Sequence, residues 1–290
     1  MVSRKSTLGN LFVRYSGVFP TQADLDIISK HRVRDWSTRT YLLNRFARGI
    51  SVKAPPVFIV GCGHSGTSLL LAILGTHSNL YPVPFESYLI QQPNRRAYLH
   101  TFDLLTVATG KTRWVEKTPR HIRHIDELLA VHPRAKVIIM LRDGRDVATS
   151  LFKRTGDLEG GIQRWVADNR SGDRFIEHPR VHRFRYEDIV TDFKGTMVEI
   201  LGFISEDYEY QMARFDRENR YFYSNEISRP PDQTEANHLQ FRNWQINQPL
   251  FDGRGQWRTL PAEQQHIIFN TISSQLSEYG YLDSSEGSSS

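Results

Sequence analysis

A chain of 290 residues with 39% hydrophobic and 24% charged side chains is long enough to bury a full core, and its composition excludes wholesale disorder. The single cysteine, Cys62, excludes an internal disulfide, and the apolar runs near Phe58, Leu70 and Ile138 fall short of the roughly 18 residues of a membrane span. A net charge of +5 describes either a solvated basic surface or a protein with an anionic ligand. Nucleic acid is disfavoured, because Lys and Arg are spread along the chain rather than massed with aromatic residues. A reducing compartment and a basic amino terminus without an apolar signal core lead us to expect a cytoplasmic location.

In chain order, residues 1–53 read as a polar, helical lead-in, with a helix over Asp24–Arg48 that Pro55-Pro56 ends. Val57–Val60 is a continuous apolar run closed by glycines, the form of a buried parallel strand, and Ser68–Leu74 carries leucines at helical spacing. Ile122–Val131 reads as an amphipathic helix, Ala135–Leu141 as a second buried strand, and Asp146–Lys153 as the helix after it. Val181–Tyr186 reads as a third strand, followed by a helix over Phe193–Leu201 that ends at Gly202. Strands alternating with helices predict an α/β, three-layer P-loop-like fold, a central parallel sheet flanked by helices. The expected organisation is one domain over 1–283, with its core at 56–202 and a closing segment at 203–283. A serine-rich tail, expected to be disordered, follows at 284–290.

Gly61-Cys62-Gly63-His64-Ser65-Gly66-Thr67-Ser68 nearly matches the phosphate-binding loop in which two glycines five apart precede Lys and Ser or Thr. Glycines let successive N–H groups converge on an anion at a helix start, and Ser65, Thr67 and Ser68 add hydroxyls. An ordinary strand-to-helix turn would share the pattern. Thr67 stands where a nucleoside triphosphatase has its Lys, which argues against γ-phosphate chemistry with magnesium. The loop suits a terminal group of lower charge, such as a sulfonate, with no metal required.

Gly63 to Leu70 resembles the 5′-phosphosulfate loop of the sulfotransferases that use 3′-phosphoadenosine-5′-phosphosulfate (PAPS). That family usually carries a basic residue, then Ser-Gly-Thr-Thr/Ser and apolar residues; here His64 holds the basic position. Val137–Ser150 is similar to the family's 3′-phosphate segment, which implies Arg142 and Ser150 as the phosphate contacts, with Asp143 or Asp146 capping the helix. The resemblance runs from Pro56 to Gly202, with a thinner patch at Gly253–Arg258, and it is nearest the bacterial and protein-tyrosine branch.

The resemblance implies further roles. Glu86, after Tyr81-Pro82-Val83-Pro84-Phe85, is implied as the general base, its apolar surroundings expected to desolvate it and raise its basicity. Lys117, in Trp114-Val115-Glu116-Lys117-Thr118-Pro119, is implied with His64 to steady the transferring group; Pro119 removes the His that cytosolic members use as base. Tyr186 is implied as an adenine contact or a packed core tyrosine, and Arg254 as a 3′-phosphate contact or part of a plain glycine turn. His121 and His124 share a helix surface rather than ligate a metal. Residues 203–250 match no motif and are expected to shape the acceptor pocket.

The implied activity is sulfuryl transfer from PAPS, with 3′-phosphoadenosine-5′-phosphate (PAP) as product and no metal. The acceptor is a hydroxyl of a small metabolite or glycan, with protein tyrosine as the alternative. A P-loop kinase and a PAPS- or PAP-binding module without turnover are the competing readings.

Overall fold

The computed structural model describes residues 51–282 except 225 and 232–234; the lead-in helix expected over 24–48 and the tail over 284–290 lie outside them. Strand β1 (Val57–Gly61) is buried at every position, which is why its apolar run does not alternate. The chain continues through α1 (Thr67–Leu74), β2 (Leu80–Pro82), α2 (Arg95–Ala108) and β3 (Arg113–Lys117). A 3₁₀ turn over Pro119–His124 then leads to α3 (Ile125–Val131), β4 (Lys136–Leu141), α4 (Gly144–Thr155) and α5 (Leu158–Asp173). Strand β5 (Val181–Arg185) runs directly into α6 (Tyr186–Thr191) and α7 (Phe193–Ile204), and α8 (His238–Gln245) and α9 (Ala262–Glu278) follow.

The five strands form one wholly parallel sheet in the order β2-β3-β1-β4-β5. On one face, Leu70 and Leu74 of α1 and Ile200 and Leu201 of α7 cover Val57, Ile59, Ile138 and Met140. On the other, Phe102 of α2 and Leu128 of α3 cover Phe58, Val60, Val137 and Ile139. A third cluster joins α4, α5 and α9 through Leu151, Trp165 and Ile272 at the carboxyl ends of the strands, where Cys62 and Leu141 lie. The three-layer expectation holds. After β1 the chain adds strands on one side of it and then on the other, so the crevice at this switch point opens beside β1.

Three local differences from the sequence reading have physical causes. Strand β3 is not visible in hydropathy because Arg113, Glu116 and Lys117, three of its five residues, are charged yet 3%, 0% and 0% exposed. The helix expected over 122–131 splits, since Pro119 opens a 3₁₀ turn that hands over to α3 at Ile125. Helix α7 runs past Gly202 and closes at Ser205, which takes the left-handed conformation (φ 62°) and donates its N–H to the Gly202 carbonyl. Among the described residues, no helix is long and apolar enough to cross a membrane.

Candidate active site

The loop between β1 and α1 is built around residues that cannot be exchanged freely. A Cβ on Gly61 would lie 2.5 Å from the Met140 carbonyl oxygen, and one on Gly66 (φ 86°) would lie 2.8 Å from the Tyr186 ring. His64 also adopts the left-handed conformation, at φ 72°. For a residue with a side chain this costs about 1–2 kcal/mol. Two contacts hold it there: Ser150 Oγ lies 2.7 Å from its Nδ1, and Arg142 Nη1 donates to its carbonyl at 3.1 Å. Helix α1 has no side-chain cap and no acidic residue in its first turn, so its N–H donors are left for another acceptor.

The polar atoms around this loop are incompletely satisfied. His64 Nε2, Ser65 Oγ and Arg142 Nε are buried and have no hydrogen-bond partner among the described residues. Buried polar atoms are seldom left unpaired, and three around one glycine loop describe a cradle for an anion. Burial, then the charges of Arg242 and Arg154, hold the His64 imidazole well below its usual pKa, so His64 enters the cradle as a neutral ring.

Arg142 leaves the end of β4 and lies over the Tyr186 ring at 4.5 Å, and its Nη2 donates to the Gly253 carbonyl. The Tyr186 hydroxyl donates to the Phe251 carbonyl at 2.7 Å and accepts from Gly253 N at 3.1 Å. Tyr186 is 5% exposed and acts as a strut between Gly66, Arg142 and the closing loop. Asp143 caps α4, accepting from Arg145 N, while Asp146 accepts from Gly255 N and Trp257 N and pins that loop. The Arg254 side chain is turned to Asp252 at 2.8 and 2.9 Å and is largely exposed. The loop thus brings backbone, not the Arg254 guanidinium, to Arg142.

Glu86 reaches the site because the segment after β2 is stapled to β3. Ser87 donates from N (3.2 Å) and Oγ (2.8 Å) to the wholly buried Glu116 carboxylate, and Tyr88 N donates to Thr118 Oγ1 at 3.3 Å. Lys117 points to the opposite face of β3 from Glu116. Its Nζ donates to Glu86 Oε1 at 2.6 Å, Arg242 Nη1 donates to the same oxygen, and the Tyr88 hydroxyl donates to Oε2 at 3.0 Å. Burial pushes the Glu86 carboxyl up, but Lys117, Arg242 and these hydrogen bonds outweigh it and hold it well below the usual carboxylate range. The rise in basicity expected from apolar surroundings is therefore absent.

Four residues that sequence reasoning missed complete the cluster. Tyr223 lies with its ring 4.8 Å from Lys117 Nζ and 5.2 Å from the Arg242 guanidinium, and its hydroxyl donates to Ser68 Oγ at 3.2 Å. Arg242 Nη2 and Arg154 Nη1 approach His238 Nε2 at 2.8 and 3.4 Å, and the His238 ring stacks on His64 at 6.1 Å. Arg154 was legible as the residue one helical turn beyond Ser150. Tyr223, His238 and Arg242 carry no motif and arrive from the segment expected to shape the acceptor pocket. The arrangement offers a neutral, hydrogen-bonding loop at its floor and a carboxylate facing two cations beside it. Such a set can bind an anionic group and take a proton close to it.

Residues 94–210 match the model of the sulfotransferase family, a span that contains Lys117, Arg142, Ser150 and Tyr186 and begins after the glycine loop and Glu86. Among solved structures, the chain resembles the sulfotransferase domain of an olefin synthase from Synechococcus PCC 7002, at 18% identity and a TM-score of 0.52. That alignment covers 78% of this chain and 97% of that domain. It also resembles the mouse sulfotransferase SULT7A1 complexed with PAP, at 16% identity, a TM-score of 0.51, and coverage of 81% and 88%. An uncharacterised protein of Aquifex aeolicus strain VF5 is 24% identical across 57% of this chain, which spans only 27% of that protein's length. Over residues 94–210 the chain matches the sulfotransferase family by sequence, and its fold is the one these sulfotransferase structures share.

Proposed function

We propose that this protein transfers a sulfuryl group from PAPS to a hydroxyl of a small metabolite or glycan. The observation that carries the reading is the cluster of Glu86, Lys117 and Arg242 beside the glycine loop: two cations share one carboxylate, and both cations are largely buried. A buried surplus of positive charge calls for an anion. The unpaired atoms of His64, Ser65 and Arg142 mark where the rest of such a ligand would be met.

PAPS, as donor substrate, supplies an activated sulfonate and a stable leaving group. The loop N–H groups with Ser65, Thr67 and Ser68 would hold its phosphosulfate, and Arg142 with Ser150 its 3′-phosphate. His64, neutral and tied to Ser150, links the two ends. Lys117 and Arg242 stabilise charge on the sulfonate and on the departing oxygen. The acceptor oxygen forms its bond to sulfur in line with the breaking bond to the 5′-phosphate, and its proton passes to Glu86. As the two cations turn from Glu86 to the sulfonate, the influence that holds its carboxyl low is removed. Burial, which pushes the carboxyl up, remains, so Glu86 becomes a better base when the donor is in place.

Tyr186 serves as the strut that carries Arg142, and Arg254 lies at the rim of the closing loop. The test is incubation with radiolabelled PAPS and a panel of hydroxyl acceptors in the presence of a chelator. A labelled product that depends on Glu86 supports the reading. A magnesium requirement with ATP consumption would instead favour a kinase.

A further inference from the structure

A second cluster of cations lies next to Glu86 and is not used by the donor scheme. The Tyr88 hydroxyl that donates to Glu86 belongs to a residue 40% exposed, followed at once by the 3₁₀ turn Leu89–Gln91. Gln91 and Arg120, Arg123, His124 and Arg164 line a cleft of about 250 Å³. One contact ties this cleft to the site: Arg164 reaches the loop, where a Cβ on Gly63 would lie 2.8 Å from its guanidinium.

The charges there are arranged rather than scattered. Asp168, 1% exposed, accepts from Nε of Arg123 at 2.5 Å and Nε of Arg164 at 3.4 Å. It fixes both side chains through their inner nitrogens, so their terminal nitrogens keep no hydrogen-bond partner among the described residues. Arg120 has no ion pair among the described residues either. Three guanidinium groups line the cleft with Gln91 and with His124, which pairs with Glu127 at 2.9 Å, and no aliphatic residue lines it. Planar, forked donors without an apolar wall recognise oxyanions.

We infer that this cleft binds an anionic group of the acceptor, so that the substrate carries a phosphate, sulfate or carboxylate besides the hydroxyl that is sulfated. The inference rests on the sulfotransferase reading for the term acceptor, while the oxyanion site itself is testable without turnover. Inorganic phosphate is titrated calorimetrically into protein saturated with PAP, so that the donor site is filled. A saturable site is expected, weakened about tenfold or more in the R120Q/R123Q variant and unchanged in R134Q, a control at an exposed arginine outside the cleft. No saturable binding, binding that PAP abolishes, or binding undiminished in R120Q/R123Q would each overturn the proposal. Should PAP itself fail to bind, the donor reading falls. The cleft is then judged on the unliganded protein, where phosphate must lose one site in R120Q/R123Q. In turnover, 4-hydroxyphenylacetate should show a KM about tenfold below that of 4-hydroxyphenylacetamide, a difference that R120Q erases. Equal KM values for the pair in the wild type would count against it.

Discussion

The donor cradle and the closing segment that covers it are built by opposite means. The cradle, Gly61–Ser68 with Arg142 and Ser150, hangs on the carboxyl ends of β1 and β4, paired in register from Val57↔Lys136 to Gly61↔Met140. Among its described residues, the part of the closing segment from Tyr210 to Thr259 holds 3₁₀ turns, loops and one short helix. Yet it supplies Tyr223, His238 and Arg242, and its Gly253 carbonyl anchors Arg142. The sheet positions a cradle whose own basic position is a neutral His64, and the irregular segment returns the missing positive charge through Arg242. On the proposed reading, the cation that the sulfotransferase loop usually carries is supplied here by another element.

The largest effect is expected where the two regions meet. Glu86→Gln should lower the transfer rate by roughly 10²–10⁴ while leaving PAP affinity intact, measured by product formation and calorimetry. Normal turnover by that variant would remove Glu86 as the base. Arg242→Gln should lower kcat by roughly 10²–10³, the scale of losing one preorganised donor at the transferring group. A variant with wild-type kcat would return the closing segment to a purely structural role.

Within the cradle alone, Gly66→Ala must accept φ 86° and press on Tyr186 at 2.8 Å. It should cost about 1–2 kcal/mol in a denaturant titration and weaken PAP binding as well. A smaller effect concerns pH. Burial and Arg242 lower the pKa of His238 to about 4, and burial with Arg242 and Arg154 lowers that of His64 well below the ordinary 6.5. Both rings bind more protons unfolded than folded, so their contribution is fully present above pH 6.5 and is lost as pH falls below it, through about 4 in the case of His238. Denaturation midpoints over that window should decline less in His64→Asn than in the wild type. An equal decline would mean that His64 is not held neutral.

What the sequence disclosed follows the same division. The glycine loop, its strand and Arg142 were legible because a buried parallel strand leaves an unbroken apolar run and a tight turn demands glycine. The roles of Glu86 and Lys117 came only through resemblance, and their pairing was hidden because it depends on Ser87 meeting Glu116 across 29 residues. Strand β3 was hidden by its own buried charges, two of which find their partners far along the chain, Arg113 in Glu206 and Lys117 in Glu86. Arg242 and Tyr223 had no signal at all, since Arg242 lies on a helix of only eight residues and Tyr223 in an irregular stretch, neither long enough to show a period from which a facing side can be read.

The most direct measurement compares PAP with PAPS, which differ by the sulfonate alone, in calorimetric titrations of the wild type, Arg142→Ala and Arg242→Gln. If the sheet-borne cradle grips the nucleotide and Arg242 meets the sulfonate, Arg142→Ala should weaken both ligands about tenfold or more. Arg242→Gln should weaken PAPS by a similar factor and leave PAP within about twofold. Equal weakening of PAP and PAPS by Arg242→Gln, or undiminished binding of both by Arg142→Ala, would contradict the account.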